Sequence, residues 1–349
     1  MTMRWFTFVA AVGLATVGGC AGLWGDSSSL ALVGVQEPAA YLEYAPEWSG
    51  FETLPSSFWQ LDLATAKARR VYGQRVQYDL QLAGEFAVSE RPAKNDQASQ
   101  VVAKSLSSGD EVVILDRDVK LGGHYDREFI VDGTNVVART DTGLLVYDLA
   151  WQEVARTVPV SDRLVEIYAA GADWAIATRN DMSGEMLLVR FETGEATLIP
   201  EPPDGFAPLP LAAVAADEYV FVPAYHTESE TGPVTNRVLA LHIPTLSWST
   251  LVDYGETRAA PWGDIVQVTG ADVANVLAEV FTPLGSSRIE LIARDSGQRT
   301  TIARAPGQSP VCPLLHDGHV YWLSGVSNTL NVYDIAAGTR HAIPVQIPD

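Results

Sequence analysis

The sequence predicts an all-β protein, a single β-propeller of about seven four-stranded blades. Composition, an internal repeat and the chemistry of the repeated turn carry that prediction. Gly (28) and Pro (20) are plentiful, and Val, Thr, Tyr and Trp recur in short runs, which suits short strands joined by turns. With 47% hydrophobic and 19% charged residues, the chain can bury a substantial core.

The repeat is read from strand ends. Trp59-Gln60-Leu61-Asp62-Leu63 is followed by Ala64-Thr65-Ala66, and Leu145-Val146-Tyr147-Asp148-Leu149 by Ala150-Trp151-Gln152. Val332-Tyr333-Asp334-Ile335 is followed by Ala336-Ala337-Gly338. Across the chain the last strand residues fall at 63, 106, 149, 191, 243, 294 and 335. Seven copies at this spacing, two with insertions, match a four-stranded propeller blade. Six or eight blades stay open, because terminal copies of a repeat are often atypical.

The third turn residue is Gly109, Gly194, Gly297 or Gly338 in four copies. Glycine fits there because a three-residue hairpin closes through a left-handed residue. Ala66, Gln152 and Leu246 stand at the same place in the other three, so those turns either differ or are out of register. Upstream strand pairs are predicted at 128–131 with 134–139, 164–169 with 173–178, and 314–316 with 319–323. One segment conflicts: Val273, Val276, Leu277 and Val280 have helical spacing, whereas their place in the repeat requires a strand.

The N-terminus reads as an address. Arg4 precedes an apolar stretch from Trp5 to Val17, and Val17-Gly18-Gly19-Cys20 follows, the layout of a secretory signal. The apolar stretch is too short to span a bilayer as a helix. The tetrapeptide resembles a bacterial lipobox, which implies cleavage before Cys20 and its acylation with fatty acid such as palmitate. The alternative is ordinary signal cleavage with Cys20 incidental. Residues 1–19 are thus a lipoprotein signal peptide, 20–29 the lipidated cysteine and a polar tether, and 30–349 the propeller. The resemblance implies an exported protein on a membrane of the cell envelope, facing the periplasm or exterior. Cys312 has no partner for a disulfide and reads as a buried strand thiol.

An apolar strand, often with Asp, followed by a Thr-Gly-like turn and another strand is similar to the repeat of the quinoprotein-like and YVTN propellers. The likeness covers nearly the whole mature chain. It implies the fold, not quinone chemistry: Leu198, Thr301 and Ala342 stand where the quinoprotein repeat has its docking Trp.

The net charge is −20, and loss of residues 1–19 removes only Arg4, leaving −21. That sign repels phosphate backbones and anionic surfaces, so nucleic acid is excluded as a partner.

Within a blade of strands A to D, the A–B and C–D turns are short, while the B–C and D–A connections are long. The long ones are 45–56, 91–99, 116–125, 200–210, 226–236 and 253–263. These two kinds of connection leave one end of an up-and-down blade, so the length variation falls on one binding face. Trp48, Phe51, His124, Tyr125, Phe206, Tyr254 and Trp262 are its candidate binding residues, aromatic anchors suited to a protein or a saccharide. His226, Glu228 and Glu230 alternate within the longest insertion and are weak metal candidates. No other cofactor is predicted.

There is no phosphate loop, His-Glu-x-x-His or Gly-x-Ser-x-Gly elbow. His316-Asp317-Gly318-His319 reads as a turn. The sequence therefore favours a lipid-anchored binding or scaffold module. One alternative is a propeller lyase, lactonase or hydrolase with a metal at the channel. Another is a subunit of an envelope assembly complex.

Overall fold

The computed structural model describes residues 29–45, 56–75, 78–92, 99–117, 128–179, 185–228, 233–257, 265–281, 286–305, 313–324 and 328–347. These form seven antiparallel sheets, each of strands consecutive in the chain. The protein is all-β, a single β-propeller of seven four-stranded blades.

Blade 1 is β1 (Ser29–Gln36), β2 (Ala39–Ala45), β3 (Ser56–Asp62) and β4 (Ala68–Arg75). Blade 2 is β5 (Tyr78–Ala83), β6 (Phe86–Pro92), β7 (Ser99–Ser105) and β8 (Glu111–Arg117). Blade 3 is β9 (Phe129–Asp132), β10 (Asn135–Thr140), β11 (Gly143–Asp148) and β12 (Glu153–Pro159). Blade 4 is β13 (Leu164–Gly171), β14 (Trp174–Arg179), β15 (Met186–Arg190) and β16 (Ala196–Leu198).

In blade 5 the first strand is split into β17 (Ala207–Pro208) and β18 (Val214–Ala216), both paired with β19 (Tyr219–Thr227). Proline causes the split, since Pro208 and Pro210 cannot donate to a ladder and Pro210–Ala212 is a 3-10 turn. Long strands β20 (Val234–His242) and β21 (Ser247–Thr257) complete it. Blade 6 is β22 (Ile265–Ala271), β23 (Asn275–Phe281), β24 (Ser287–Ala293) and β25 (Arg299–Ala305). Blade 7 is β26 (Leu314–His316), β27 (His319–Ser324), β28 (Thr329–Asp334) and β29 (Thr339–Pro344).

The strand pairs expected upstream of each turn are present to within two residues at their ends. The conflicting segment is a strand: Val276, Leu277 and Val280 lie buried in β23, and Val273 is exposed in the turn before it. Pairing on both sides, with β22 and β24, overrides the helical spacing.

The seven C–D turns share one geometry. Ala66, Gly109, Gln152, Gly194, Leu246, Gly297 and Gly338 all have φ between 50° and 77°. The non-glycine turns therefore neither differ nor slip; they hold an L-residue in the left-handed region at a steric cost. Strand-end side chains offset part of it. Asp62 Oδ1 accepts the amides of Ala64 and Thr65 at 3.1 and 2.7 Å, and Asp148 Oδ1 accepts that of Ala150 at 2.8 Å.

In blades 2 to 7 the residue that begins the turn is anchored as well. The amides of Leu106, Leu149, Phe191, Ile243, Arg294 and Ile335 donate to the A–B turn carbonyls of Glu85, Thr134, Asp173, Glu218, Ala274 and Gly318 at 2.8–3.0 Å. One bond thus ties both short turns together at the same end of the blade.

The described chain divides into two compact units, one running to Ile199, the other holding Pro200–Asp349 with Leu61–Ala68. In the first, Tyr41, Phe58, Tyr72 and Ala87 pack between blades 1 and 2. Val88, Val101, Phe129 and Val136 pack between blades 2 and 3, and Val137, Leu144, Ile167 and Ala175 between blades 3 and 4. In the second, Phe221, Val238, Val266 and Val280 join blades 5 and 6, while Leu277, Ile289, Val320 and Trp322 join blades 6 and 7. Burying such side chains contributes about 1.5–3 kcal/mol each.

Glycine is required where neighbouring blades meet most closely. A Cβ on Gly194 would lie 2.5 Å from the Pro159 carbonyl oxygen, and one on Gly297 would lie 2.4 Å from that of Leu251.

Candidate functional site

The end of each blade opposite the tied turns carries the variable connections. The B–C link is only Asp141-Thr142 in blade 3, but spans 46–55 in blade 1. The D–A link is 76–77 before blade 2 and 118–128 before blade 3. The A–B turns hold to two residues, or three in blade 6.

Of the residues expected here, Cys20, Trp48, Phe51, His124, Tyr125, Glu230 and Trp262 lie outside the described residues, as does Cys312. Phe206, His226, Glu228 and Tyr254 are described. Two of them meet.

Phe206 follows a 3-10 turn at Pro203–Gly205 and leads into β17. Its ring is buried, at 6% exposure, rather than displayed. The Arg237 guanidinium covers it, 4.1 Å from the ring centroid, and the His226 ring lies 5.5 Å away on another side. Arg237 Nη1 donates to Asp204 Oδ2 at 2.9 Å and Nε to Asp253 Oδ2 at 2.8 Å. His226 Nδ1 stands 3.2 Å from the Gly205 carbonyl oxygen. Further along the same connection, Trp248 Nε1 donates to the Pro200 carbonyl at 2.7 Å. Stacking, the Asp204 ion pair and two bonds to backbone carbonyls thus fix the 200–208 connection onto blade 5, with Asp253 holding Arg237 in place.

The charges respond accordingly. The Gly255 amide, and then Arg237, hold the Asp253 carboxyl below the usual range against a smaller opposing effect of burial. Arg237 is held more firmly protonated, chiefly by Asp204. Glu228 is exposed at the end of the described segment. Among the described residues, no group of three His, Cys, Asp or Glu side chains is placed to hold a metal ion.

Tyr254 is half-buried on β21 and spans to blade 6, where its hydroxyl donates to Glu290 Oε2 at 3.0 Å. Arg288 Nε donates to the other Glu290 oxygen at 2.7 Å, and Arg299 lies 4.7 Å over the Tyr254 ring. Burial, followed by the Glu290 charge, pushes the phenol up, keeping it neutral and donating.

Sequence reading missed a polar position on the second strand of the blades. Counting from the first residue after each A–B turn, Glu43, Glu90, Arg139, Thr178 and Glu279 occupy the same place in blades 1, 2, 3, 4 and 6. Glu90 and Glu279 are buried. Arg139 binds buried Glu128 through two 2.7 Å bonds and reaches the Leu164 carbonyl of blade 4 at 3.2 Å. A charged residue in an apolar strand at a fixed distance from the turn was the signal that could have found this position. Such fork-to-fork pairing fixes the Arg139 side chain, which bridges blade 3 to blade 4 through the Leu164 carbonyl. It leaves Arg139 and Glu128 committed to structure.

No helix among the described residues is long and apolar enough to cross a membrane, which says nothing about strands.

Seven sheets of consecutive strands define the class: a seven-bladed β-propeller in which every blade closes on its own strands. The chain is similar to the β-propeller domain of the Trilobed protease from Pyrococcus furiosus, reported to have an open velcro topology. That likeness has 10% identity and TM-score 0.56, covering 92% of this chain and 96% of that one. An uncharacterized protein from Listeria monocytogenes EGD-e is 13% identical with TM-score 0.55, over 95% and 98% of the two chains. The computationally designed Ika8 protein is 13% identical with TM-score 0.52, over 95% and 94%. At these identities the likeness shows the fold alone. No protein-family model and no curated protein matches the chain.

Proposed function

We propose that this protein is a lipid-anchored, extracytoplasmic binding or scaffold propeller that holds a protein or saccharide partner at the variable end of its blades. The observation that supports this reading is the contrast between the two blade ends. One is uniform, with every C–D turn in one geometry and six of the seven bonded to their A–B turns. The other ranges from a two-residue link to connections several times longer. Repeat proteins concentrate recognition where such variation is free of the core. The Arg237–Asp204–Asp253, Arg139–Glu128 and Tyr254–Glu290–Arg288 clusters are engaged in ion pairs and hydrogen bonds that hold the blades, which favours binding over bond chemistry. Acylated Cys20 would hold the molecule at an envelope membrane, several chains on one residue giving a firm anchor where one gives only a marginal one.

Two measurements test the reading. Metabolic labelling with a fatty-acid analogue, followed by membrane fractionation, should mark the full chain and place it with membranes. Cys20→Ala should lose both properties, and an unlabelled, soluble parent chain would sink the anchor. For recognition, replacing 46–55 with the Asp141-Thr142 link of blade 3 should leave folding intact. It should remove partners captured by in-cell crosslinking or on a glycan array. An unchanged binding profile after each long connection is shortened in turn would sink the binding face.

A further inference from the structure

The chain carries a large acidic excess, yet its first blade ends in a basic edge. Between Leu63 and Tyr78 the sequence has Lys67, Arg69, Arg70 and Arg75 and no Asp or Glu. Most of that run is β4, the outermost strand of its sheet. The outer strands β8, β12 and β21 all contain acids, at Glu111 and Asp116, Glu153, and Asp253 and Glu256. Only β25 and β29 share the sign of β4 among strands of similar length, through Arg299, Arg304 and Arg340.

Arg69 and Arg70 are both exposed. Arg69 Nε donates to the neutral amide oxygen of Gln60 at 2.6 Å, and the Arg70 guanidinium lies 5.9 Å from the Trp59 ring centroid. Neither is in an ion pair among the described residues, whereas Arg91, Arg139, Arg179, Arg190, Arg237, Arg288 and Arg294 are each matched to a carboxylate. These two charges are thus exposed without compensation on a sheet edge.

We propose that the β4 edge of blade 1 lies against anionic lipid headgroups of the membrane that holds the acyl chains, and so fixes the orientation of the propeller. This rests on the anchored reading above. Reach permits it: Cys20 to Ser29, fully extended, spans at most about 30 Å. β4 is three strand spacings from β1 in the same sheet, about 14 Å. The overall charge does not forbid it, because screening confines the interaction to charges within about 8 Å of the surface at physiological salt. Acyl chains supply the attachment; the arginines select which edge faces down and the acidic remainder is turned outward. Each arginine near an anionic surface shifts the equilibrium by about fivefold, so two are enough to set an orientation without serving as an anchor.

The test uses acylated full chain on phosphatidylcholine vesicles with or without phosphatidylglycerol. Gly73 on β4 is a suitable probe position, since an added Cβ there meets nothing within 4 Å. Ala155 on β12 is exposed and serves as the control. In a Cys312→Ser background, a fluorophore on Gly73→Cys should be quenched by headgroup-labelled lipid several-fold more than one on Ala155→Cys. The excess should appear only on anionic vesicles and vanish in high salt. Arg69→Ser with Arg70→Ser should abolish it without lowering sedimentation, Arg69→Lys with Arg70→Lys should keep it, and Arg156→Ser should leave it unchanged. Equal quenching at the two positions, or quenching indifferent to the double substitution, overturns the orientation while leaving the anchor standing. A Cys20-intact chain that fails to sediment overturns both.

Discussion

The Arg237 guanidinium sits 4.1 Å from the centre of the Phe206 ring, tied down by Asp204 on one side and Asp253 on the other. Phe206 immediately precedes the first strand of blade 5 and Arg237 is on its third, so the contact closes a connection onto its own sheet. Phe206→Ala should cost about 3 kcal/mol in chemical denaturation, and Phe206→Leu much less. If the alanine variant were as stable as the parent, the ring would be ornamental to the connection.

Acid should loosen the same clamp. Asp253 is held below its ordinary range, so its contribution is fully present above the unfolded value near 4. It is lost as pH falls through the lower folded value. The fluorescence of Trp248, whose indole holds Pro200, should report release at the acid end, and Asp253→Asn should flatten that transition. An identical acid profile in the variant would assign the transition elsewhere.

Asp132 predicts the opposite sign. Burial alone raises its carboxyl, so its charge opposes folding above the folded value, and the penalty disappears below the unfolded one. Asp132→Asn should raise the melting temperature at neutral pH, with the gain shrinking to nothing in acid. A loss at neutral pH would show that the carboxylate accepts bonds that matter more than its desolvation.

The buried Glu128–Arg139 pair of blade 3 should be costly to break from one side. Glu128→Ala deprives Arg139 of both its 2.7 Å bonds and should destabilise by about 3 kcal/mol. Replacing both partners by apolar residues should cost less. Additive losses in that cycle would mean the pair is not coupled.

The turns offer a gain of stability. Ala66, Gln152 and Leu246 sit at φ of 57°, 53° and 50°, where glycine avoids the Cβ penalty. Each change to Gly should stabilise by roughly 0.5–1 kcal/mol, net of the unfolded chain's extra freedom. Gly194→Ala should do the reverse, because its Cβ would meet Pro159 oxygen at 2.5 Å. Equal effects at Ala66 and Gly194 would refute the shared geometry.

The blades are legible in the order of residues along the chain. Leu106, Leu149, Phe191 and Ile243, each one residue past its strand, could be read as turn entries because turn geometry is local: each turn closes within four or five residues, with Asp148 capping one and Gly109 or Gly194 supplying the left-handed residue of others. The same locality made β23 legible once its place in the repeat was set above its helical spacing. Which side chains turn toward another strand far along the chain emerges only once the sheets pack. Phe206 was readable as a loop aromatic but not as a ring buried under Arg237, a partner 31 residues away brought close by the β19–β20 pairing. Glu128 and Arg139 read as ordinary charges until the folding of blade 3 beside blade 4 buried them. Burial and pairing are properties of packed surfaces, and no repeat spacing encodes the face that a neighbouring blade will cover.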